Sequence, residues 1–315
     1  MKQLEMKVIL VTGATGFVGS HLVERLLKIS SVRLLLLSRH EQESTRQGVV
    51  WLKAELTQLT KNYWVSHGIS RIDYVFHLGA FTPKLSADAN RIDPCIDDNI
   101  QGTRVLLQGL PGKPDKFVFS STLDVYELTE NEEVLTEDSK VSPNTLYGAS
   151  KLFCESLVSA WARENGCDFS ILRYGHIYGP GEEQYGKLIP VVIRKLLANQ
   201  SPAVHGDGSS MRDYLYVGDA VDATIRAALF EGDIESVNIV RGESVMLKEI
   251  VQLLIRLVGN DTAINFLAEK PNGTSLRFDN RRMTNLLGNW PMTSLEEGLA
   301  AEVESFRSKE LSVVR

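Results

Sequence analysis

Val8-Ile9-Leu10-Val11-Thr12-Gly13-Ala14-Thr15-Gly16-Phe17-Val18-Gly19 is the stretch of sequence that decides the fold. Its first four residues are apolar, which predicts a strand buried on both faces of a parallel sheet. Glycines follow in the spacing G-x-x-G-x-x-G, and apolar residues three and four apart then predict a helix. A glycine turn between strand and helix lets the backbone approach a pyrophosphate, whose charge the helix N-terminus favours. The stretch therefore predicts a dinucleotide-binding unit rather than an ordinary turn of an α/β protein.

Strand patterns and helix patterns alternate through the first half of the chain. Apolar runs predict strands at 33–37, 49–52, 74–78, 116–120 and 168–173. Helical periodicity separates these runs at 59–67, 94–110 and 146–165. The alternation predicts an α/β protein with a Rossmann-like doubly wound parallel sheet.

The pattern changes after Arg173, where glycines and turn signals crowd together. Further patterns predict helices at 188–198, 221–230, 247–257 and 295–306, and a late strand at 237–240 that returns to the sheet. We expect a smaller C-terminal substrate lobe that is interleaved with the main sheet. The predicted dinucleotide-binding domain is 1–174 with 215–242, and the predicted substrate lobe is 175–214 with 243–315.

The composition limits the class of protein. With 315 residues, the chain is long enough for one large α/β unit or two joined lobes. A net charge of −6 and the lack of a Lys/Arg-rich run argue against a nucleic-acid partner. The sequence has no apolar run of the roughly 18 residues that span a membrane, and its start lacks the apolar core of a signal peptide. Its 3 cysteines lack metal-ligand spacing, so we expect reduced thiols, no metal and a cytoplasmic location.

A tyrosine and a lysine four residues apart indicate acid–base chemistry. Tyr147 and Lys151 share one face of the predicted helix. An ammonium group stabilises a phenolate and lowers the tyrosine pKa from about 10, so the pair can exchange a proton with a carbonyl or alcohol. Thr122 ends a predicted strand at the sheet edge where ligands bind, and its hydroxyl can reach the same oxygen. A Tyr–Lys pair on a helix surface is the alternative interpretation.

Together with several other motifs, these residues resemble the extended short-chain dehydrogenases/reductases, the NAD-dependent epimerase/dehydratase group acting on nucleotide sugars. The resemblance runs from Val8 to about Leu299. Segment 77–80, H-L-G-A, is similar to the H-L-A-A that passes under the cofactor, and 99–103, N-I-Q-G-T, to N-x-x-G-T. Segment 172–180 is similar to L-R-Y-x-N-x-Y-G-P, with His176 in place of the usual Asn. Segments 186–190 and 206–214 resemble the nucleotide-binding K-L-I-P and G-D-G-x-x-x-R-D-Y.

The resemblance implies three sets of site residues and no metal. The catalytic set is Thr122, Tyr147, Lys151 and Asp124. The cofactor set is Gly13, Thr15, Gly16, Phe17, Val18, Gly19, Ser38, Arg39, Glu55, Leu56, Leu78, Gly79, Ala80, Asn99, Ser120, Tyr147, Lys151, Tyr174, His176 and Ile177. The substrate set is Thr82, Thr122, Lys187, Leu188, His205, Arg212 and Lys270. Arg212 and then Lys187 are the best candidates for the diphosphate, because guanidinium binds phosphate oxygens bidentately.

Two departures from the family pattern bear on the cofactor and the reaction. The second strand ends without the Asp that would bind the ribose hydroxyls of NAD, and Ser38 and Arg39 there favour the 2′-phosphate of NADP(H). Leu123 occupies a position where dehydratases carry a polar group for proton transfer. Asp124 is the alternative carrier, with a shorter reach than Glu.

We therefore expect NAD(P)-dependent hydride transfer on a nucleotide-diphosphate sugar, with NADP(H) favoured over NAD(H) and a 4-ketoreductase as the favoured reaction. An epimerase or dehydratase with tightly bound NAD is the alternative, and a non-catalytic NAD(P)-binding regulatory protein is a second one. Reduction of a steroid or flavonoid is disfavoured, because those substrates carry no diphosphate for Lys187 and Arg212. The resemblance also implies a homodimer through the Tyr–Lys helix, with Leu152, Phe153 and Leu157 in the interface.

Overall fold

The computed structural model describes residues 2–43, 46–127, 134–259, 261–268 and 275–313. Its strands are β1 (Val8–Thr12), β2 (Arg33–Ser38), β3 (Val49–Lys53), β4 (Tyr74–His77), β5 (Lys116–Thr122), β6 (Val134–Leu135), β7 (Asp168–Tyr174), β8 (His176–Tyr178), β9 (Ala203–His205), β10 (Met211–Tyr216), β11 (Ile234–Ile239), β12 (Ser244–Met246), β13 (Asn265–Leu267) and β14 (Arg277–Phe278). Its α-helices are α1 (Phe17–Leu26), α2 (Lys61–Ser66), α3 (Ile92–Pro94), α4 (Gly102–Gly109), α5 (Leu146–Asn165), α6 (Leu188–Leu197), α7 (Val217–Leu229), α8 (Leu247–Val258), α9 (Arg281–Leu287) and α10 (Leu295–Val313). A π-helix covers Cys95–Gln101, and 3₁₀ turns cover Lys2–Leu4, Leu56–Gln58, Ser86–Asn90 and Leu123–Val125.

A parallel sheet organises the molecule. Its strand order is β3-β2-β1-β4-β5-β7-β11. The chain runs outward from β1 in one direction through β2 and β3, then returns to β4 on the other side. The carboxyl ends of β1 and β4 thus flank the point where the strand order reverses, which is where open α/β sheets bind ligands. The predicted fold class is confirmed.

Helices cover both faces of this sheet, which explains the apolar runs at 8–11, 34–37 and 117–119. On one face α1 and α7 pack together, burying Leu22, Leu26 and Val221 against the strands. On the other face α2, α4 and α5 bury Trp64, Leu106 and other apolar side chains. Several polar residues of the strands, among them Thr12, Ser38, His77 and Thr122, lie at the carboxyl edge of the sheet.

A separate apolar core joins α6, α8 and α10 with β9 and β10. β10 lies parallel to β8 and antiparallel to β12, so a small second sheet connects this part to the chain leaving β7. The division into two interleaved domains stays a prediction, and this separate core supports it.

The structure differs from the sequence-based elements at several boundaries. The single helix predicted at 94–110 is a short α-turn, a π-helix and then α4. α7 begins at Val217, earlier than predicted, because the strand β10 ends directly at its N-cap. α9 was not predicted, since its seven residues are too few to show periodicity. Within the described ranges, no helix is long and apolar enough to cross a membrane, and no cluster of side chains suits a metal ion.

Candidate active site

The glycine turn after β1 has the shape and the donors that a pyrophosphate requires. Gly13 has a left-handed φ of +70°, and a Cβ there would lie 2.7 Å from the backbone nitrogen of Gly79. Gly16 is the N-cap of α1, and no side chain of the described residues caps that helix end. The first-turn N–H groups are therefore suited to an anion. The structure brings the predicted pyrophosphate residues together at this turn: Gly13, Thr15, Gly16, Phe17, Val18 and Gly19.

The ends of β2 and β3 carry the residues that we predicted to contact adenosine. Ser38 is buried, and its Oγ accepts a hydrogen bond from the backbone nitrogen of His40 at 3.1 Å. Arg39 is exposed. Glu55 is exposed at the start of a 3₁₀ turn, where Leu56 lies half-buried. This edge thus presents a buried hydroxyl, an exposed guanidinium and an exposed carboxylate.

Buried hydrogen bonds hold the segment Leu78-Gly79-Ala80 against the glycine turn. The Oγ1 of Thr12 lies 2.7 Å from Nδ1 of His77 and accepts from the backbone nitrogen of Gly79 at 2.9 Å. Nε2 of His77 lies 2.9 Å from Oγ1 of Thr103. Burial, followed by the positive charge of Lys151, lowers the pKa of His77 to about 3. The neutral imidazole is therefore a structural link between β1, β4 and α4.

Asn99 lies in the π-helix and joins two parts of the site. Its Oδ1 accepts from the backbone nitrogen of Phe81 at 2.7 Å, and its Nδ2 donates to Oγ of Ser150 at 2.9 Å. A π-helix widens the turn locally and is frequent at functional sites. Asn99 thus positions α5 and the segment after β4, while Ser120 Oγ donates to the backbone oxygen of His77 at 3.1 Å.

The hydroxyl of Tyr147 meets two threonines at the carboxyl edge of the sheet. Tyr147 is buried, and the side chains of Thr82 and Thr122 hydrogen-bond to it. The start of α5 lies so close to Asp124 that a Cβ at Gly148 would be only 2.3 Å from the backbone oxygen of Asp124. This close approach brings Tyr147 to the two threonines. The backbone nitrogen of Asp124 donates to Oγ1 of Thr122 at 3.2 Å, which orients that threonine. The structure therefore brings the predicted proton carrier and its two hydroxyl partners together.

The protonation behaviour of Tyr147 differs from the expectation. Burial raises its pKa, the negative charge of Asp124 raises it further, and the threonine hydroxyls oppose both. Lys151 is buried one helical turn away, and burial lowers its pKa to about 8. Its Nζ lies 4.4 Å from the centroid of the Phe119 ring. The expected net lowering of the Tyr147 pKa is wrong for the isolated chain, because desolvation of the phenolate outweighs the two threonine hydrogen bonds that lower it.

Leu123 and Asp124 have different environments. Leu123 is buried in an apolar cluster with Val125 and Tyr126. Solvent reaches Asp124, but surrounding protein atoms still raise the pKa of its carboxyl, and a hydrogen bond with Thr122 partly offsets this. Asp124 is therefore a carboxyl group with a raised pKa near the tyrosine.

The residues in 174–177 that we predicted to contact the cofactor have different surroundings. The hydroxyl of Tyr174 lies 2.5 Å from Oγ1 of Thr224, and Ile177 is buried in the core next to the sheet. His176 lies beside the basic residues of the substrate set, and their positive charges act on its ring. The structure therefore groups His176 with the predicted diphosphate residues.

The two cations predicted to bind diphosphate have different surroundings. The Nζ of Lys187 lies 3.1 Å from an oxygen of the buried Glu182 and donates to the backbone oxygen of Ile177 at 3.1 Å. Arg212 is half-buried, donates to the backbone oxygen of Met211 at 2.8 Å, and has a pKa lowered by desolvation. A phosphate at Arg212 would offset the cost of that desolvation through charge-assisted hydrogen bonds, which favours Arg212 as the phosphate site.

The remaining members of the substrate set lie on separate elements. Leu188 begins α6 directly after Lys187. His205 is exposed at the end of β9, where its Nδ1 lies 3.1 Å from the backbone oxygen of Ala268. Lys270 lies outside the described residues.

Tyr185 and Glu182 belong to the site and were missed by sequence reasoning. The Tyr185 ring lies 6.4 Å from that of Phe17 in the glycine turn and 4.8 Å from Nζ of Lys187. Its phenol also acts electrostatically on Tyr147. Both residues lie in a glycine-rich loop that shows no helical or strand periodicity. The sequence signal that could have identified them is an aromatic and an acidic residue between two recognised motifs.

A buried ion pair supports the floor of the site. Arg173 of β7 donates to both carboxylate oxygens of Glu155 in α5, at 3.0 and 2.8 Å. Ser121 of β5 donates to the same carboxylate, and Nη1 of Arg173 donates to the hydroxyl of Tyr126 at 3.0 Å. This network fixes the ends of two strands against the helix that carries Tyr147.

Known proteins resemble this chain in sequence and in structure. The model of the NAD dependent epimerase/dehydratase family matches residues 9–239. A Bacillus subtilis protein described as an uncharacterized UDP-glucose epimerase is 30% identical, over 94% of this chain and 96% of its own length. A UDP-glucose 4-epimerase of Mycolicibacterium smegmatis is 31% identical over 95% of this chain and 98% of its own. The structure of a Bacillus cereus UDP-glucuronic acid 4-epimerase with UDP-glucuronic acid and NAD superimposes with a TM-score of 0.82 and 27% identity, covering 96% of this chain and 99% of that one.

Proposed function

Because the chain belongs to the NAD-dependent epimerase/dehydratase family, we propose that it epimerises a UDP-sugar at carbon 4 with NAD bound at the glycine turn. Family membership makes the chain an extended short-chain dehydrogenase/reductase, an enzyme that modifies nucleotide sugars. The observation that carries the finer proposal is the Tyr147 hydroxyl held between Thr82 and Thr122, at the edge of the sheet beside the glycine turn.

In this proposal the chain's own residues hold the substrate and move its proton. Tyr147 takes the proton of the sugar 4-hydroxyl and returns it once the carbon has inverted. Thr122 and Thr82 hold the reacting oxygen beside the phenol, and Lys151 holds the nicotinamide ribose. NAD, when bound, would supply hydride-transfer chemistry at carbon 4 of the sugar. The first-turn N–H groups of α1 would hold its pyrophosphate.

The comparisons do not support a 4-ketoreductase, and they do not support a preference for NADP over NAD. Relatives and structural neighbours are described as epimerases, and the neighbouring structure contains NAD. The local chemistry gives one reason: the Ser38 hydroxyl is buried and already accepts a hydrogen bond in a turn, so of the two residues predicted to meet a 2′-phosphate only Arg39 is exposed to do so.

A 4,6-dehydratase is the second candidate, and Asp124 favours it. Its carboxyl lies beside Tyr147 and Thr122 with a raised pKa, so it can carry the proton that water elimination requires. Because the chain belongs to a family of enzymes, the alternative of a non-catalytic NAD(P)-binding regulatory protein is not retained.

The test incubates the purified protein, without added cofactor, with UDP-glucose, UDP-glucuronic acid and UDP-N-acetylglucosamine. Chromatography and NMR then identify the products. Formation of the 4-epimer of one of them supports the proposal, while loss of one water would identify the dehydratase. Product formation only with added NADPH and a 4-keto sugar would contradict both.

We also propose that the chain forms a homodimer through α5 and the adjoining π-helix. Phe153 of α5 is 54% exposed and Ile96 of the π-helix 44% exposed, and these two elements pack together. Leu152 and Leu157, by contrast, are half-buried against the protein's own core clusters. Light scattering coupled to gel filtration measures the oligomeric state, and a monomer at micromolar concentration would contradict the proposal.

A further inference from the structure

His176 is where the sequence departs from the family's L-R-Y-x-N-x-Y-G-P, and its ring lies on the basic side of the site. It begins β8, pairs in register with Tyr214 of β10, and its ring centroid lies 5.7 Å from that of Tyr214. Nδ1 of His176 is buried and has no hydrogen-bond partner among the described residues, while the ring hydrogen-bonds to the backbone of Asp213. A buried polar atom without a partner costs free energy unless a ligand supplies one.

Positive charge surrounds this ring from two elements. Burial, then Arg212 of β10, then Lys187 before α6, lowers the pKa of His176 to about 3, so the ring is neutral near pH 7. The phenol of Tyr214 is buried and protonated. The carboxylate of Asp213 is directed away, accepting from the backbone nitrogens of Arg241 and Gly242 at 2.9 and 2.8 Å.

Two acidic residues, Glu182 and Glu302, affect the charge balance around Lys187. Glu182 forms the ion pair with Lys187 and lies beside the buried Glu302 of α10. Burial and the neighbouring carboxylate raise the pKa of Glu302 to about 9, so Glu302 is neutral and Glu182 balances Lys187. Of the two cations, Arg212 opposes protonation of His176 more strongly than Lys187 does.

We propose that His176 takes up a proton when a nucleotide diphosphate binds, and that the protonated ring then donates a hydrogen bond from Nδ1 to a phosphate oxygen. The inference rests on the proposed function, because it takes a nucleotide diphosphate as the ligand. Burial is the first cause that keeps the ring neutral and the charge of Arg212 is the second; two phosphate charges beside Arg212 oppose both, and Nδ1 gains the partner that it lacks. The proton comes from the buffer, and no bond of the ligand is made or broken.

An asparagine at this position would donate through its amide at any pH. The histidine makes affinity depend on pH instead, because proton uptake and ligand binding are linked. Affinity is expected to weaken as pH rises, by up to about tenfold per pH unit between the pKa of the free ring and that of the bound ring, and to be independent of pH above the latter.

Calorimetric titration with UDP-glucose at pH 6.5 tests this inference, since its phosphate diesters do not titrate near that pH. Titrations in PIPES and in Bis-Tris, whose ionisation enthalpies differ, give the number of protons taken up. We expect uptake approaching one proton for the wild type and for His67→Gln, which changes an exposed histidine at the C-cap of α2. His176→Asn should bind UDP-glucose with that uptake abolished and with little dependence of affinity on pH between 6 and 8.

Equal heats in the two buffers for the wild type would overturn the inference while leaving the proposed function intact. Uptake that persists in His176→Asn would also overturn it, because the proton would then belong to the Glu182–Glu302 pair. Should His176→Asn fail to fold, the ¹⁵N shifts of the wild-type imidazole with and without UDP-glucose decide the matter, with an unchanged neutral ring as the contrary result. Failure of UDP-, dTDP-, GDP- and CDP-glucose all to bind would overturn both the inference and the proposed function.

Discussion

Replacing Gly148 with alanine should disturb catalysis through geometry alone. The added Cβ would lie 2.3 Å from the backbone oxygen of Asp124 and 3.0 Å from Cβ of Pro143. Restoring a 3.0 Å separation from that oxygen requires the start of α5 to move by about 0.7 Å, and both neighbours are too stiff to yield cheaply. The move displaces the adjacent Tyr147 from Thr122. We expect Gly148→Ala to lower kcat by up to about 10²-fold, since misplacement near 1 Å has that effect, and to lower the free energy of unfolding by about 1–3 kcal/mol.

Gly112→Ala is the matched control. A Cβ at Gly112 meets nothing within 4 Å, so the substitution should leave kcat unchanged and stabilise the fold by about 0.4–1 kcal/mol. The assay compares the initial rates of UDP-sugar interconversion by the two variants, with urea unfolding measured in parallel. If Gly148→Ala turned over as fast as Gly112→Ala, the close approach of α5 to the 3₁₀ turn Leu123–Val125 would not set the catalytic geometry, and the reasoning would be refuted.

Three further predictions concern the proton carrier, the diphosphate and the buried ion pair. Tyr147→Phe should reduce turnover by about 10²-fold or more while NAD stays bound to the purified protein, and a near-normal rate would show that another group carries the proton. Arg212→Ala should weaken binding of UDP by about 1.5–3 kcal/mol in calorimetric titration, and unchanged affinity would remove Arg212 from the site. Arg173→Ala leaves a carboxylate buried without its cation and should lower the free energy of unfolding by about 3–5 kcal/mol, whereas Arg163→Ala, in an exposed pair, should leave urea unfolding unchanged. Equal midpoints for those two variants would contradict the structural importance assigned to the buried pair.

The sequence predicted best those elements whose boundaries are marked by side-chain chemistry. α5 has the bounds 146–165 that were predicted, because Thr145 caps its start and Gly166, in a left-handed conformation, ends it. The π-helix was not predictable, since the apolar pattern through 94–110 continues without a break. Its effect is to turn Asn99 towards Phe81 and Ser150, and only three-dimensional contacts show this.

Residue types and spacing identified the candidate site, but they gave the wrong sign for one pKa and missed two partners. The spacing of Tyr147 and Lys151 shows that the phenol and the ammonium group lie close together. It contains no information about desolvation, which raises the tyrosine pKa. Lys187 was predicted to meet phosphate, while Glu182, five residues earlier in an irregular loop, already pairs with it. Burial and loop contacts depend on the whole fold, so local sequence does not determine them.

The central claim is that hydride leaves carbon 4 of a UDP-sugar and returns to the same carbon on the opposite face. The direct measurement incubates the purified protein with UDP-glucose deuterated at carbon 4, in ordinary water and without added cofactor, and follows the product by NMR and mass spectrometry. The account predicts UDP-galactose that keeps the deuterium at carbon 4, with Tyr147→Phe forming almost none. UDP-galactose that has exchanged this deuterium for solvent hydrogen, or no conversion of UDP-glucose together with NADPH-dependent reduction of its 4-keto form, would contradict it.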